Sequence, residues 1–230
     1  MIAVIGSKGG VGTTTVAAGL AHAANTAVFA ADLGATNDLA LADASCQLWS
    51  LDSLALLPEH KLSQTLHTLS AARATQVFSL SWVGRVLYGQ TAAAILDTLE
   101  SHGVVVADLG CQPLPQALEL ATHVVLVITP DPRSLRRAEK LQTLCNSRAA
   151  SLVLNFARPG DQAQNGETVV LPDVGQADPL DDEAWSQAVR GLAGQLGLFV
   201  EQPGVPQTAR PRSRKSFSWR SLLPRVRLVE

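Results

Sequence analysis

Short, mostly apolar runs fall at Ile2 to Ile5, Thr26 to Ala31, Gln76 to Trp82, Val104 to Ala107, His123 to Thr129, Ser151 to Leu154 and Thr168 to Leu171. Each is too short for a helix and lacks the alternation of a half-buried strand, so each predicts a strand covered on both faces. Between them the apolar positions recur at helical spacing over Thr13 to Ala24, Lys61 to Ala74, Gln90 to Ser101, Pro132 to Ser147 and Asp181 to Leu196. Alternation of this kind predicts an α/β, doubly wound, mostly parallel sheet with helices on both faces. Ligands of such sheets bind beyond the carboxyl ends of the strands, which directs attention to the turns after Ile5, Ala31 and Ala107.

The pattern ends near residue 200. Glu201 to Arg214 is rich in Pro, Gly, Gln and Arg without periodicity, and predicts a linker. Beyond it, Ser216 to Leu223 fits two helical turns with Trp219, Leu222 and Leu223 on one side before Pro224 stops them. The expected organisation is therefore one doubly wound domain over residues 1–200 and a short appended tail over 201–230.

The turn after Ile5 reads Gly6-Ser7-Lys8-Gly9-Gly10-Val11-Gly12-Thr13-Thr14, a P-loop pattern between strand and helix. Glycines let the backbone close on a phosphate, and the amides and helix terminus that follow supply positive potential. The usual loop carries Lys after its last Gly, reaching the β- and γ-phosphates; here Thr13 stands there. Gly9, Gly10, Val11, Gly12, Thr13, Thr14 and Thr15 are the expected nucleotide-binding residues. Thr14 offers the hydroxyl for Mg²⁺, and Asp108, closing Val104-Val105-Val106-Ala107, offers the carboxylate. Asp32 closes Val28 to Ala31 in the same way, although aspartate also serves at strand ends as a plain turn former.

Lys8-Gly9-Gly10-Val11-Gly12 resembles the deviant Walker A motif of the ParA/MinD ATPases, P-loop NTPases of the SIMIBI class. The resemblance implies that Lys8 is the signature lysine, used across the interface of an ATP-dependent homodimer. Those relatives usually keep a second lysine in the loop. The CpaE/TadZ branch, associated with Tad (Flp) pili, often reads G-V-G-T-T or G-V-G-T-S instead, as residues 10–14 do here. "DLALA" at 38–42, "VFSLSW" at 77–82, "VVVADLG" at 104–110 and "VVLVITPDPRSLRRAEKL" at 124–141 resemble successive CpaE segments, so the likeness covers roughly residues 1–200. The receiver-like domain common in that group has no counterpart in the sequence.

The resemblance implies ATP and Mg²⁺ as cofactors, an adenine contact at Asn155, and a base-covering loop at Pro172 and Asp173. Relatives commonly carry D-x-D at the second strand end, where this chain has Ala30 and a single Asp32 as the catalytic candidate beside Lys8. Which of the two family aspartates Asp32 replaces stays open. With one lysine and one carboxylate fewer than usual, hydrolysis is expected to be slow or absent. The implied role is an ATP-binding positioning or assembly factor for pilus or secretion machinery. A DNA-segregation ATPase and a pseudo-ATPase interaction module remain as alternatives.

Charge separates the body from the tail. The formal net charge is −2, yet Arg210, Arg212, Arg214, Lys215, Arg220, Arg225 and Arg227 crowd the last 21 residues against Glu230 alone, leaving a body of about −8. Such a tail suits an anionic membrane surface through residues 210–227, or a protein groove, more than nucleic acid, which also attracts cations. A solvated tail without a partner is the plain alternative. Met1 leads straight into an apolar strand and no run approaches about 20 apolar residues, so a cytoplasmic protein with at most peripheral membrane contact is expected. Cys46, Cys111 and Cys145 have no metal or disulfide spacing and read as buried thiols, and the five histidines show no ligand spacing.

Overall fold

In the computed structural model, residues 1–24, 28–34, 47–71, 76–145, 149–157, 168–175 and 178–198 are described. Eight parallel strands form one sheet in the order β3-β4-β2-β5-β1-β6-β7-β8. They are β1 (Ile2–Gly6), β2 (Val28–Asp32), β3 (Gln47–Ser50), β4 (Gln76–Ser79), β5 (Val104–Asp108), β6 (His123–Ile128), β7 (Ala149–Ala157) and β8 (Thr168–Pro172). The helices are α1 (Thr13–Ala23), α2 (Leu51–Ala55), α3 (Glu59–Ala71), α4 (Trp82–Glu100), α5 (Pro115–Leu120), α6 (Pro132–Leu144) and α7 (Glu183–Gln195). All seven strand pairings are parallel.

Successive residues of each strand feed opposite faces. Ala3, Ile5, Phe29, Ala31, Phe78, Val105 and Ala107 build one core with Leu51, Leu66, Leu69, Leu96, Leu99 and Leu141. Ile2, Val4, Val28, Ala30, Val106, Val125, Val127 and Val153 build the other with α1 and α7, where Trp185 and Leu192 are buried. On that face α1 and α7 approach closely. A methyl group at Gly19 would lie 2.6 Å from Cη2 of Trp185, so only glycine lets the indole approach α1 this closely.

Several boundaries differ from the sequence pattern. The apolar run 76–82 is strand only to Ser79, because Ser81 caps α4 by accepting from the amide of Gly84, which starts that helix eight residues before Gln90. α6 ends at Leu144, and α3 begins at Glu59, two residues before the expected start. β3, α2 and α5 have no clear apolar period and escape the pattern. Asp38, residues 38–42, Cys46 and the whole of 201–230, with the linker and basic tail, lie outside the described residues. Cys145 is buried as expected, whereas Cys111 is only half-buried.

β1 is where the winding reverses: the chain passes from β1 over β5 to β2, and later from β5 over β1 to β6. Its carboxyl end is therefore flanked by two strands reached by separate crossovers, the position at which open sheets leave a crevice.

Candidate functional site

The loop after β1 is tied to both neighbours. The Gly6 amide donates to the carbonyl of Gly110 beyond β5 (2.9 Å), and the Ser7 amide donates to Val127 of β6 (2.9 Å). Gly10 and Gly12 then take left-handed φ of 75° and 84°. At Gly12 a side chain would collide with the Asn155 amide, which makes glycine obligatory on two grounds. α1 starts with no side-chain cap and no acid in its first turn. Its first helical bond runs from Val16 N to Gly12 O (3.0 Å), so the amides of residues 13–15 have no helical acceptor. A helix terminus with unclaimed donors, reached through two left-handed glycines, is built to accept an anion.

Thr14 and Asp108 meet as the sequence predicts. The Thr14 hydroxyl donates to Oδ2 of Asp108 at 2.6 Å, while Oδ1 accepts the Gly110 amide at 2.9 Å. Asp32 sits beside Asp108 in the β2–β5 register, and both carboxylates are buried, 0% and 1% exposed. Two buried carboxylates on adjacent strand ends call for a cation. Among the described residues no three His, Cys, Asp or Glu gather as a protein-only metal cage. The donors present, one hydroxyl and two carboxylates next to an anion cradle, suit a magnesium ion that takes its remaining ligands from phosphate and water.

Lys8 points elsewhere in this state. Its Nζ lies 2.8 Å from Oδ2 of Asp131, the N-cap of α6. Asp131 also accepts from the Thr129 hydroxyl (2.5 Å) and from the amides of Arg133 (3.1 Å) and Ser134 (3.0 Å). Those hydrogen bonds, that from Lys8 first, hold its carboxyl well below the usual aspartate range. Ser7 Oγ reaches Ser134 Oγ at 2.5 Å, and Ser134 Oγ accepts the Thr129 amide. The front of the loop is thus stapled to α6. None of Ser7, Asp131 or Ser134 was expected from the sequence, because their partners lie up to 127 residues away.

The far side of the loop meets the end of β7. Asn155, 2% exposed, donates through Nδ2 to the Val11 carbonyl (2.9 Å), and its Oδ1 has no hydrogen-bond partner among the described residues. A buried unmet acceptor is expensive unless a donor arrives with a ligand. Phe156 follows with φ of 57°, 38% exposed, its ring next to Gly12. The register between β7 and β8 shifts here and resumes with Ala157 opposite Pro172, and Asp173 N donates to Ala157 O (3.0 Å). Asn155, Phe156, Pro172 and Asp173 therefore gather at one corner. Phe156 is a further residue that sequence reasoning missed; an aromatic after Asn at a strand end was the available signal.

No protein-family profile matches the chain, and no curated protein sequence does. Solved structures do. A ParA family ATPase from Chlorobium tepidum TLS superposes with a TM-score of 0.63 at 18% identity, covering 84% of this chain and 97% of that one. The chain has the ParA/MinD fold. MinD in the MinC:MinD cell division complex of Aquifex aeolicus follows at TM-score 0.60 and 18% identity, covering 91% and 99%. The septum site-determining protein MinD of Pyrococcus horikoshii OT3, complexed with Mg-ADP, matches at 0.58 and 17%, covering 85% and 94%. Within the ParA/MinD fold, the crevice at the end of β1 is where Thr14, Asp32 and Asp108 meet, with Asn155 on the far side of the loop and Lys8 turned to Asp131. Among the described residues, no helix is long and apolar enough to cross a membrane.

Proposed function

We propose that the chain is an ATP-binding positioning or assembly factor of the ParA/MinD kind, acting as a nucleotide-dependent homodimer that turns ATP over slowly or not at all. The observation that carries this reading is the Thr14–Asp108 contact at 2.6 Å beneath an uncapped helix terminus. A hydroxyl and a buried carboxylate so paired support a magnesium ion bridging there to a triphosphate. The amides of residues 9–15 would hold the phosphates, Asn155 Oδ1 and the Phe156 ring would receive the base, and Pro172 and Asp173 would border it. Bound magnesium would neutralise phosphate charge and orient the γ-phosphoryl group.

For turnover, this chain offers little beyond Asp32 to orient water, and Thr13 contributes no cation. Lys8 would leave Asp131 to serve the partner's nucleotide, which makes dimer formation and release of the α6 N-cap one event. The finer reading places the protein with Tad-type pilus or secretion machinery, supported by the Thr13-Thr14 loop variant and the CpaE-like segments. A pseudo-ATPase reading is favoured by the pairing of Lys8 within its own chain.

Light scattering with and without ATP and Mg²⁺ tests the proposal. The native chain is expected to dimerise with nucleotide, and Lys8→Ala to stay monomeric while still binding ATP by calorimetry. No heat of binding from the native chain would establish the pseudo-ATPase reading instead. Hydrolysis stimulated by DNA would favour segregation.

A further inference from the structure

Helix α4 is apolar on two sides. Its inner side is buried in the core through Ala92, Ile95, Leu96 and Leu99. On the outer side of its first turns, Val83, Val86 and Leu87 stand at i, i+3 and i+4, the spacing of neighbours on a helix surface, and so form one strip. They are 64%, 77% and 63% exposed, and Leu56, where α2 ends beside α4, is 67% exposed. Among the described residues, the one other large apolar side chain more than half exposed is Leu48, on the strand that leads into α2. From Val83 to Leu96 the sequence holds a single charge, Arg85. A helix apolar all round is ordinarily covered on both sides. The strip is also held in place, because Asp52 of α2 accepts from the amide (2.9 Å) and the hydroxyl (2.8 Å) of Ser81, the cap of α4.

We infer that this strip is the apolar part of a contact with a second copy of the chain, strip against strip. Position, charge and area select that occupant. Leu80 N donates to Asp32 O (3.0 Å), and Gly89 of α4 packs against Leu114 beyond Asp108, so the strip opens at the end of the sheet where the crevice lies. A body with 11 bases against 19 acids repels anionic lipid and nucleic acid, whereas an uncharged aliphatic strip complements itself. Four side chains at this exposure present on the order of 400 Å², so two copies bury about 800 Å² there, short of the roughly 1,200 Å² of a stable dimer. The strip alone therefore gives weak association, and a lasting dimer needs the surface around the crevice as well. That second surface rests on the nucleotide reading above. ATP then aligns two copies, and aliphatic burial at α4 adds attraction that a loop with Thr13 in place of lysine lacks.

The test is sedimentation of the full chain at rising concentration, with and without ATP and Mg²⁺. With nucleotide, V86D/L87D should weaken dimerisation about 100-fold or more and V86A/L87A about tenfold, because each substitution counts twice across a two-fold contact. V86M/L87M should stay near the native value. The control Q187D/Q195D, exposed on α7, adds the same charge and should leave dimerisation unchanged. All these positions are exposed, so melting without nucleotide should match the native chain. Without nucleotide the native chain should self-associate at about millimolar concentration and V86D/L87D should not, and raising salt from about 0.1 M to about 1 M should not loosen that contact, which has no charge to screen. Native-like dimers of V86D/L87D, or equal loss in the control, overturn the contact. So does a native chain that stays monomeric without nucleotide at millimolar concentration, or binding to phosphatidylglycerol vesicles that V86D/L87D abolishes while dimers survive. Association that depends on Val86 and Leu87, in a chain that neither binds ATP by calorimetry nor dimerises with it, upholds the strip and overturns the nucleotide reading alone.

Discussion

On the P-loop side of the crevice the parts are held by their neighbours: Gly6 and Ser7 bond to the ends of β5 and β6, and Asp108 is engaged by Thr14 and Gly110. On the β7 side, where the proposal puts the base, stand one buried amide with an unmet oxygen and one aromatic in left-handed backbone. The first end gains its order from central strands and would bind with little rearrangement. The second stores unfavourable terms, about 1–2 kcal/mol for the backbone of Phe156 and a comparable cost for the Asn155 acceptor, that a ligand can relieve. Rigidity at one end and strain at the other divide affinity from selectivity.

The largest effect is expected at the rigid end. Asp108→Ala removes the acceptor for two hydrogen bonds to a charged group, so Mg²⁺-dependent ATP binding should fall by roughly 100-fold or more in calorimetry, with a lowered melting temperature. Thr13→Lys adds the missing cation to the phosphates and should tighten ATP by about tenfold, leaving the melting temperature without nucleotide nearly unaltered. If neither changes ATP affinity, the phosphates do not sit against this loop.

The strained end gives smaller and separable effects. Phe156→Ala should weaken ATP by about fivefold through lost stacking, whereas Phe156→Gly should lose the same affinity yet gain about 1 kcal/mol in denaturant unfolding by relieving the positive φ. Equal stability of the two variants would mean that the residue is not strained. The smallest effect is a titration. The lowered pKa of Asp131 means that its stabilisation of the Lys8 contact is complete above the ordinary aspartate range and is lost only as pH falls through the lower folded value. Carbon-detected NMR should find the Asp131 carboxylate still ionised at pH values below the ordinary aspartate range, and Lys8→Ala should move its transition upward.

The loop was legible in the sequence because its chemistry is local: glycines, hydroxyls and a helix start lie within nine residues. Asp108 was legible because an apolar strand ends on it. The Lys8–Asp131 pair was not, since β6 and α6 deliver Asp131 through tertiary packing that no spacing records. β3 escaped for another reason: it is only four residues long and carries an exposed Leu48 at the sheet edge, so it has no buried run to read. Trp82 was assigned to a strand because Val77, Phe78 and Leu80 precede it, and Ser81, the cap that separates them, looks like any serine.

The reversal of winding at β1 has a consequence for synthesis. Gly6, Ser7, Lys8 and Val11 leave the ribosome early, but their partners at Gly110, Val127, Asp131 and Asn155 emerge more than a hundred residues later. A nascent chain therefore carries the glycine loop for most of its translation without a crevice to place it in, and completes that crevice only as its final strands arrive.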